Sequence, residues 1–145
     1  MNKWVLVDTS VWIFLLRKSP PESLVAEIEP YLQEDRIAVS DLIKLELLGG
    51  ITNEMDFLRL KTRLDDLHQV EISKTVWEEA ITLAFRLRGK GLTVPNADVI
   101  IASAAISAGA LLLHADRHFD LIAKHSGLKV KNLSSKIPAV RHLVD

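Results

Sequence analysis

Trp4-Val5-Leu6-Val7-Asp8-Thr9-Ser10 is an apolar run without alternation, followed by one carboxylate and two hydroxyls. An apolar run this short reads as a strand buried on both faces, the kind found inside a parallel sheet. In open α/β sheets, ligands bind at the carboxyl ends of the strands. Asp8 stands at such an end. The expected fold follows from what surrounds this strand.

On its C-terminal side, Ser10 can cap a short helix from Val11 to about Arg17. Ser19-Pro20-Pro21-Glu22 breaks it and opens another helix, about 21–34, because Pro and Glu both suit a helix N-terminus. Arg36-Ile37-Ala38-Val39 is a second strand. Ser40 caps a helix that stops at Gly49-Gly50, and a charged helix runs from Glu54 to about Leu64. His68 to Ile72 is a third, weaker strand, and Thr75 to Arg88 is an amphipathic helix ended by Gly89 and Gly91. Asn96 opens an apolar helix over 97–108 that Gly109 closes, and Ala110 to Leu113 is a fourth strand. A helix at about 117–125 and an edge strand, Leu128 to Lys131, follow. The lysines of that strand discourage pairing with another chain. Strands alternating with helices imply a single α/β domain over residues 1–145, with a central parallel sheet of about five strands covered by helices on both faces.

Composition narrows the function. Apolar residues make up 48% of the 145, which argues against disorder. There are no cysteines, so disulfides and thiolate metal sites are excluded, in keeping with a reducing, cytoplasmic setting. Asp8 interrupts the first apolar run too early for a secretory segment. Residues 97–113 are mostly small or apolar, but a membrane span needs roughly 20 such residues. With Asp98 and Gly109 inside it, this stretch reads as a buried helix and a strand. The formal net charge is −1, whereas general nucleic-acid binders are basic. Any nucleic-acid contact must therefore be local, or be helped by a cation.

Carboxylates recur where strands end. Asp116 follows the fourth strand by a short step, Glu46 lies in an apolar segment of the helix after the second strand, and Asp98 sits in the first turn after Asn96. Asp120, one turn beyond Asp116, is a possible fifth. Asp8, Asp98, Asp116 and Asp120 each have a plain reading as a cap or a favourable charge at a helix N-terminus, and Glu46 as a surface residue. Glu46 is hardest to dismiss, because a carboxylate among leucines needs a cation, a partner or water. Converging carboxylates repel, and one would keep its proton unless a cation neutralised it. Oxygen ligands without Cys or clustered His point to Mg²⁺ or Mn²⁺, a pairing suited to phosphodiester cleavage.

Val7-Asp8-Thr9-Ser10-Val11, Glu46, Pro95-Asn96-Ala97-Asp98-Val99-Ile100-Ile101-Ala102 and Asp116-Arg117-His118-Phe119 together resemble the acidic motifs of PIN-domain proteins, in particular VapC toxins. The motifs stand in order over nearly the whole chain. The resemblance implies a metal-dependent endoribonuclease, usually a homodimer, inhibited by a small VapB antitoxin. On that basis Asp8, Glu46, Asp98 and Asp116 match the acidic quartet and Ser10 a supporting hydroxyl. Asn96 stands where many relatives carry Asp, and it can still cap the helix.

The other candidates are weaker. The five histidines, His68, His114, His118, His125 and His142, lack the spacing of a helical zinc pair and are read as non-catalytic. Arg86, Arg88 and Lys90 form the best local basic cluster, whose plain reading is a solvated helix end. Arg117, beside Asp116, is the better single candidate for touching RNA. A receiver domain needs paired acids after the first strand, and a haloacid dehalogenase needs Asp-x-Asp; Asp8-Thr9-Ser10 offers neither. The live alternative to an enzyme is a PIN-fold interaction module without catalysis. Finally, Val11 to Leu16 is apolar at six successive positions. Trp12, Leu15 and Leu16 can share one stripe toward the core, leaving Ile13 and Phe14 pointing elsewhere, since neighbours lie about 100° apart. Either the helix at 21–34 covers them, or they belong to a partner surface.

Overall fold

In the computed structural model, β1 (Val5–Val7) is the middle strand of a five-stranded sheet and every residue in it is buried. Residues 3–138 are described; the chain ends, His142 among them, lie outside the described residues. After β1 come α1 (Thr9–Leu15), α2 (Glu22–Gln33), β2 (Ile37–Ser40), α3 (Asp41–Leu48) and α4 (Glu54–Asp65). They are followed by β3 (His68–Val70), α5 (Lys74–Gly89), α6 (Asn96–Ala108), β4 (Leu111–His114), α7 (Arg117–Lys124), β5 (Lys129–Asn132) and a short 3₁₀ turn, Ser134–Lys136. The expected α/β architecture is the observed one.

The strand order is β3-β2-β1-β4-β5 and every pairing is parallel. Val5 stands opposite Ile37 on one side and Leu111 on the other, so β1 is hydrogen-bonded along both edges. Its residues alternate between two cores. Leu6, with Ala38 and Leu112, packs into a cluster completed by α3, α5, α6 and α7. Val5 and Val7, with Ile37 and Leu113, face α1 and α2 through Val11, Phe14, Leu24 and Ile28. Each of these Val, Leu, Ile and Phe side chains, fully buried, contributes roughly 1.5–3 kcal/mol. This two-sided burial is why β1 and β4 show no polar alternation.

The chain moves outward from β1 to β2 and β3, then returns to place β4 on the other side of β1. The reversal makes a crevice between the carboxyl ends of β1 and β4, the position at which such sheets take ligands. Asp8 follows one strand and Asp116 the other. Residues 97–113 divide as expected, with Gly109 ending α6 at φ 63°, a left-handed conformation that a Cβ disfavours. Among the described residues no helix is long and apolar enough to cross a membrane. The third strand stops at Val70, short of Ile72, while β5 lies at a sheet edge with Lys131 paired to Glu27 at 2.9 Å.

Three local expectations are corrected. The α1 helix starts at Thr9, and its cap is Asp8 rather than Ser10: the Asp8 carboxylate accepts the Ser10 N–H. Helix α6 has Pro95 at its N-cap without a side-chain bond, so Asn96 is its first residue and not its cap. The buried stripe of α1 is Val11 and Phe14, one register away from the expected Trp12, Leu15 and Leu16. Phe14 is therefore a core residue, 6% exposed, with the Arg17 guanidinium 4.2 Å above its ring. Ile13 and Leu16 are the exposed pair. Six consecutive apolar residues carry no phase; packing of α1 against Leu24 and Ile28 of α2 decides it.

Candidate functional site

Asp8 is the deepest acid, 4% exposed. Its Oδ2 accepts from the Ser10 backbone N–H at 3.0 Å and from the Ser10 hydroxyl at 2.6 Å. The same hydroxyl oxygen accepts the Ala115 N–H at 3.0 Å. Ser10 thus ties the end of β1 to the end of β4 and aims Asp8 along the crevice. Burial raises the Asp8 pKa against the lowering effect of the Ser10 hydrogen bonds, and the Asp116 charge adds to the rise.

Asp116 caps α7, its Oδ1 accepting the His118 N–H at 2.9 Å. Asp98 enters from the first turn of α6 with its side chain 15% exposed. His118 Nδ1 lies 3.0 Å from Asp116 Oδ1 and 3.3 Å from Asp98 Oδ2. Even so, Asp98 Oδ2 and His118 Nδ1 are buried without a well-aligned hydrogen bond. Desolvation, then the Asp116 and Asp8 charges, push Asp98 up to about 6, with Glu46 adding to the rise and His118 opposing it. The expected repulsion among these acids is therefore present, and it concentrates on Asp98.

Glu46 is exposed on α3 and leans to the same rim, where its Oε1 accepts the Thr9 hydroxyl at 2.7 Å. Asp120 does not join as a fifth acid. Its carboxylate accepts from His114 Nε2 at 3.2 Å and Asn132 Nδ2 at 2.8 Å. Asn96 is exposed and lines hollows on the flank of α5. The basic residues divide. Arg88 shares one of those hollows with Asn96, whereas Arg86 lines another with Ser103 and Ser126. Arg117 is exposed at the start of α7, next to Asp116, with no ion pair among the described residues.

A carboxylate oxygen from Asp98, one from Asp116 and a ring nitrogen of His118 all lie within 4.8 Å of one another, close enough to hold one metal ion. Asp8 and Glu46 border this group through their charges. The donor set is mainly carboxylate, and an unpartnered buried oxygen points into it, which suits a hard cation.

The model of the family described as "PIN domain" matches residues 5–125. The chain belongs to the PIN domain family. Within this family, it is 30% identical over 129 residues to VapC ribonuclease Mb1587 of Mycobacterium bovis, covering 86% of this chain and 96% of the relative. Ribonuclease VapC11 of Mycobacterium tuberculosis matches to the same extent. Among solved structures, VapBC2 of Rickettsia felis bound to a promoter DNA fragment superposes with a TM-score of 0.74 at 25% identity, covering 88% of this chain and 97% of that one. DNA-bound VapBC from Salmonella typhimurium shares the fold, with a TM-score of 0.75 at 21% identity over 91% and 98% of the two chains.

Two contributions to this PIN-domain cleft are missing from the sequence reading. His118, set aside with the other histidines, lies between two acids. It is the second residue after a capping Asp, so its N–H and its ring both turn back onto that cap. Thr9 holds Glu46, and the only hint was its place in Asp8-Thr9-Ser10.

Proposed function

We propose that this chain is a metal-dependent endoribonuclease, the toxin of a VapBC-type toxin–antitoxin pair, acting as one nuclease domain in the cytoplasm. The observation that carries the reading is the part-buried, mutually repelling acid cluster at the β1–β4 crevice, with Asp98 driven to about 6. Asp98 and Asp116, with the His118 ring nitrogen between them and Asp8 bordering them, are the residues that would hold Mg²⁺ or Mn²⁺, and Glu46 stands at the rim, oriented by Thr9. Such an ion, if bound, would neutralise the acids and supply the Lewis acidity that activates a water and steadies a leaving oxygen. Ser10 keeps Asp8 aimed and Asp120 acts from outside the cluster. Asn96 lies on the flank. Arg117 is placed to meet an RNA phosphate beside the cleft, with Arg88 and Arg86 farther along α5.

Partner surfaces accord with this reading. Ile13, Leu16, Leu47, Ile51 and Leu60 line a hollow of about 800 Å³ together with Arg59, Arg63 and one acid, Asp56. An amphipathic antitoxin helix with acidic residues on one side suits it. On α5, Trp77, Ile81 and Phe85 form an exposed apolar stripe, 49%, 67% and 79% exposed. A second copy of the chain packed on that stripe would bury it. The test is incubation of the purified chain with a pool of structured RNAs in Mg²⁺, Mn²⁺ or chelator. Internal cleavage that needs the metal and disappears in Asp8→Asn is expected. A folded, metal-loaded protein that cleaves nothing leaves the interaction-module reading.

A further inference from the structure

His114 is the last residue of β4 and is fully buried, yet neither of its ring nitrogens lacks a partner. Nδ1 accepts the Asp116 backbone N–H at 3.1 Å. A ring nitrogen that accepts carries no proton, so the proton sits on Nε2, which donates to Asp120 Oδ1 at 3.2 Å. The other Asp120 oxygen accepts from Asn132 of β5 at 2.8 Å, and Asn132 in turn accepts the Ser134 N–H. Behind the ring stands Phe119, with centroids 5.3 Å apart. The result is a chain of bonds from the edge strand, through a carboxylate and a buried imidazole, to the peptide of Asp116.

That peptide needs holding. Asp116 lies in an extended conformation between strand and helix, and its Oδ1 is already committed to His118. Without a partner, its own N–H would be a donor facing a buried ring. We propose that His114, fixed by Asp120 and Asn132, is a positioning residue that sets the direction of the Asp116 carboxylate in the cleft. It does so through the Asp116 backbone and touches neither metal nor RNA. The role rests on Asp116 being a metal ligand, which wild-type binding tests separately.

The two nitrogens can be tested apart, because the oxygen of an Asn side chain falls near the place of Nδ1 and the amide of Gln near that of Nε2. The probe is Mn²⁺, its affinity read by electron paramagnetic resonance on the full chain, alongside kcat and KM for a cleaved RNA. Loss of a group that orients a ligand from outside the metal shell typically costs about 10–100-fold in metal affinity or activity. His114→Gln is expected to weaken Mn²⁺ binding at least about tenfold and to lower kcat with KM little changed. His114→Asn keeps an acceptor for the Asp116 N–H but gives up the bond to Asp120, so its Mn²⁺ affinity is expected to fall between those of wild type and His114→Gln. A purely structural role would weaken both variants in step with their melting temperatures, and equal Mn²⁺ affinities for the two would overturn the proposal. If neither variant folds, Asp120→Ala decides, since that side chain is 41% exposed and outside the core. A loss of affinity there supports the proposal, and wild-type affinity rejects it. Should the wild type itself bind no Mn²⁺, the metal reading of Asp116 fails first.

Discussion

Asp98→Asn should make the metal-free protein more stable at neutral pH. The Asp98 carboxyl is raised from 3.8 to about 6 by burial and by the charges of Asp116 and Asp8. That gap corresponds to roughly 3 kcal/mol of destabilisation when the group is charged in both folded and unfolded states. The amide keeps the shape of the side chain but loses its attraction for His118, 3.3 Å away, so the expected net gain is about 1–3 kcal/mol. The sign of the pH dependence follows from the raised pKa. The destabilisation is complete above about pH 6, and it fades as the folded state takes up a proton that the unfolded chain binds only near 3.8. By pH 4 it should be below about 1 kcal/mol. Urea denaturation of wild type and Asp98→Asn in chelator, at pH 7.5 and pH 4, measures this directly. Metal should reverse the ranking, since an ion at about 1,000 times its Kd stabilises the folded wild type by about 4.1 kcal/mol. A mutant less stable than wild type at pH 7.5, or a difference that does not change with pH, would refute the reasoning.

Other expectations concern the rest of the cleft and its surroundings. Glu46→Gln and Asp116→Asn should each lower kcat/KM for RNA by at least about 100-fold, the scale of several kcal/mol of lost transition-state stabilisation, while melting curves stay two-state. Arg117→Ala should weaken RNA binding for all sequences alike and reduce the slope of log affinity against log salt by about 1, measured by fluorescence anisotropy. Phe14→Ala should cost about 3–5 kcal/mol in stability, because the ring is buried against α2. Ile13→Glu should leave the fold intact and weaken antitoxin binding, as read by calorimetry.

The central strands and the four acids were legible because their signals are local, Glu46 by standing among leucines. An unalternating apolar run ended by Asp8, and another followed by Asp116, describe strands buried on both faces with acids at their ends. Asp98 was legible from its place in a helix first turn. The phase of α1 was not, because residues 11 to 16 are all apolar and only the packing of Val11 and Phe14 on α2 distinguishes the faces. His114 and His118 were opaque for another reason. Their partners depend on the conformation of Asp116 between β4 and α7, and the spacing of the histidines along the chain says nothing of it. Asp120 was legible as an acid near the site, but its turn toward Asn132 depends on where β5 lies.

The central claim is that the crevice between β1 and β4 holds the metal on which RNA cleavage depends. Anomalous scattering from crystals soaked in Mn²⁺ tests it most directly. A Mn²⁺ peak among Asp98, Asp116 and His118, bordered by Asp8, is expected, and it should be absent from crystals of Asp98→Asn at the same Mn²⁺ concentration. A peak held elsewhere on the chain, or an empty crevice at saturating Mn²⁺, would contradict it.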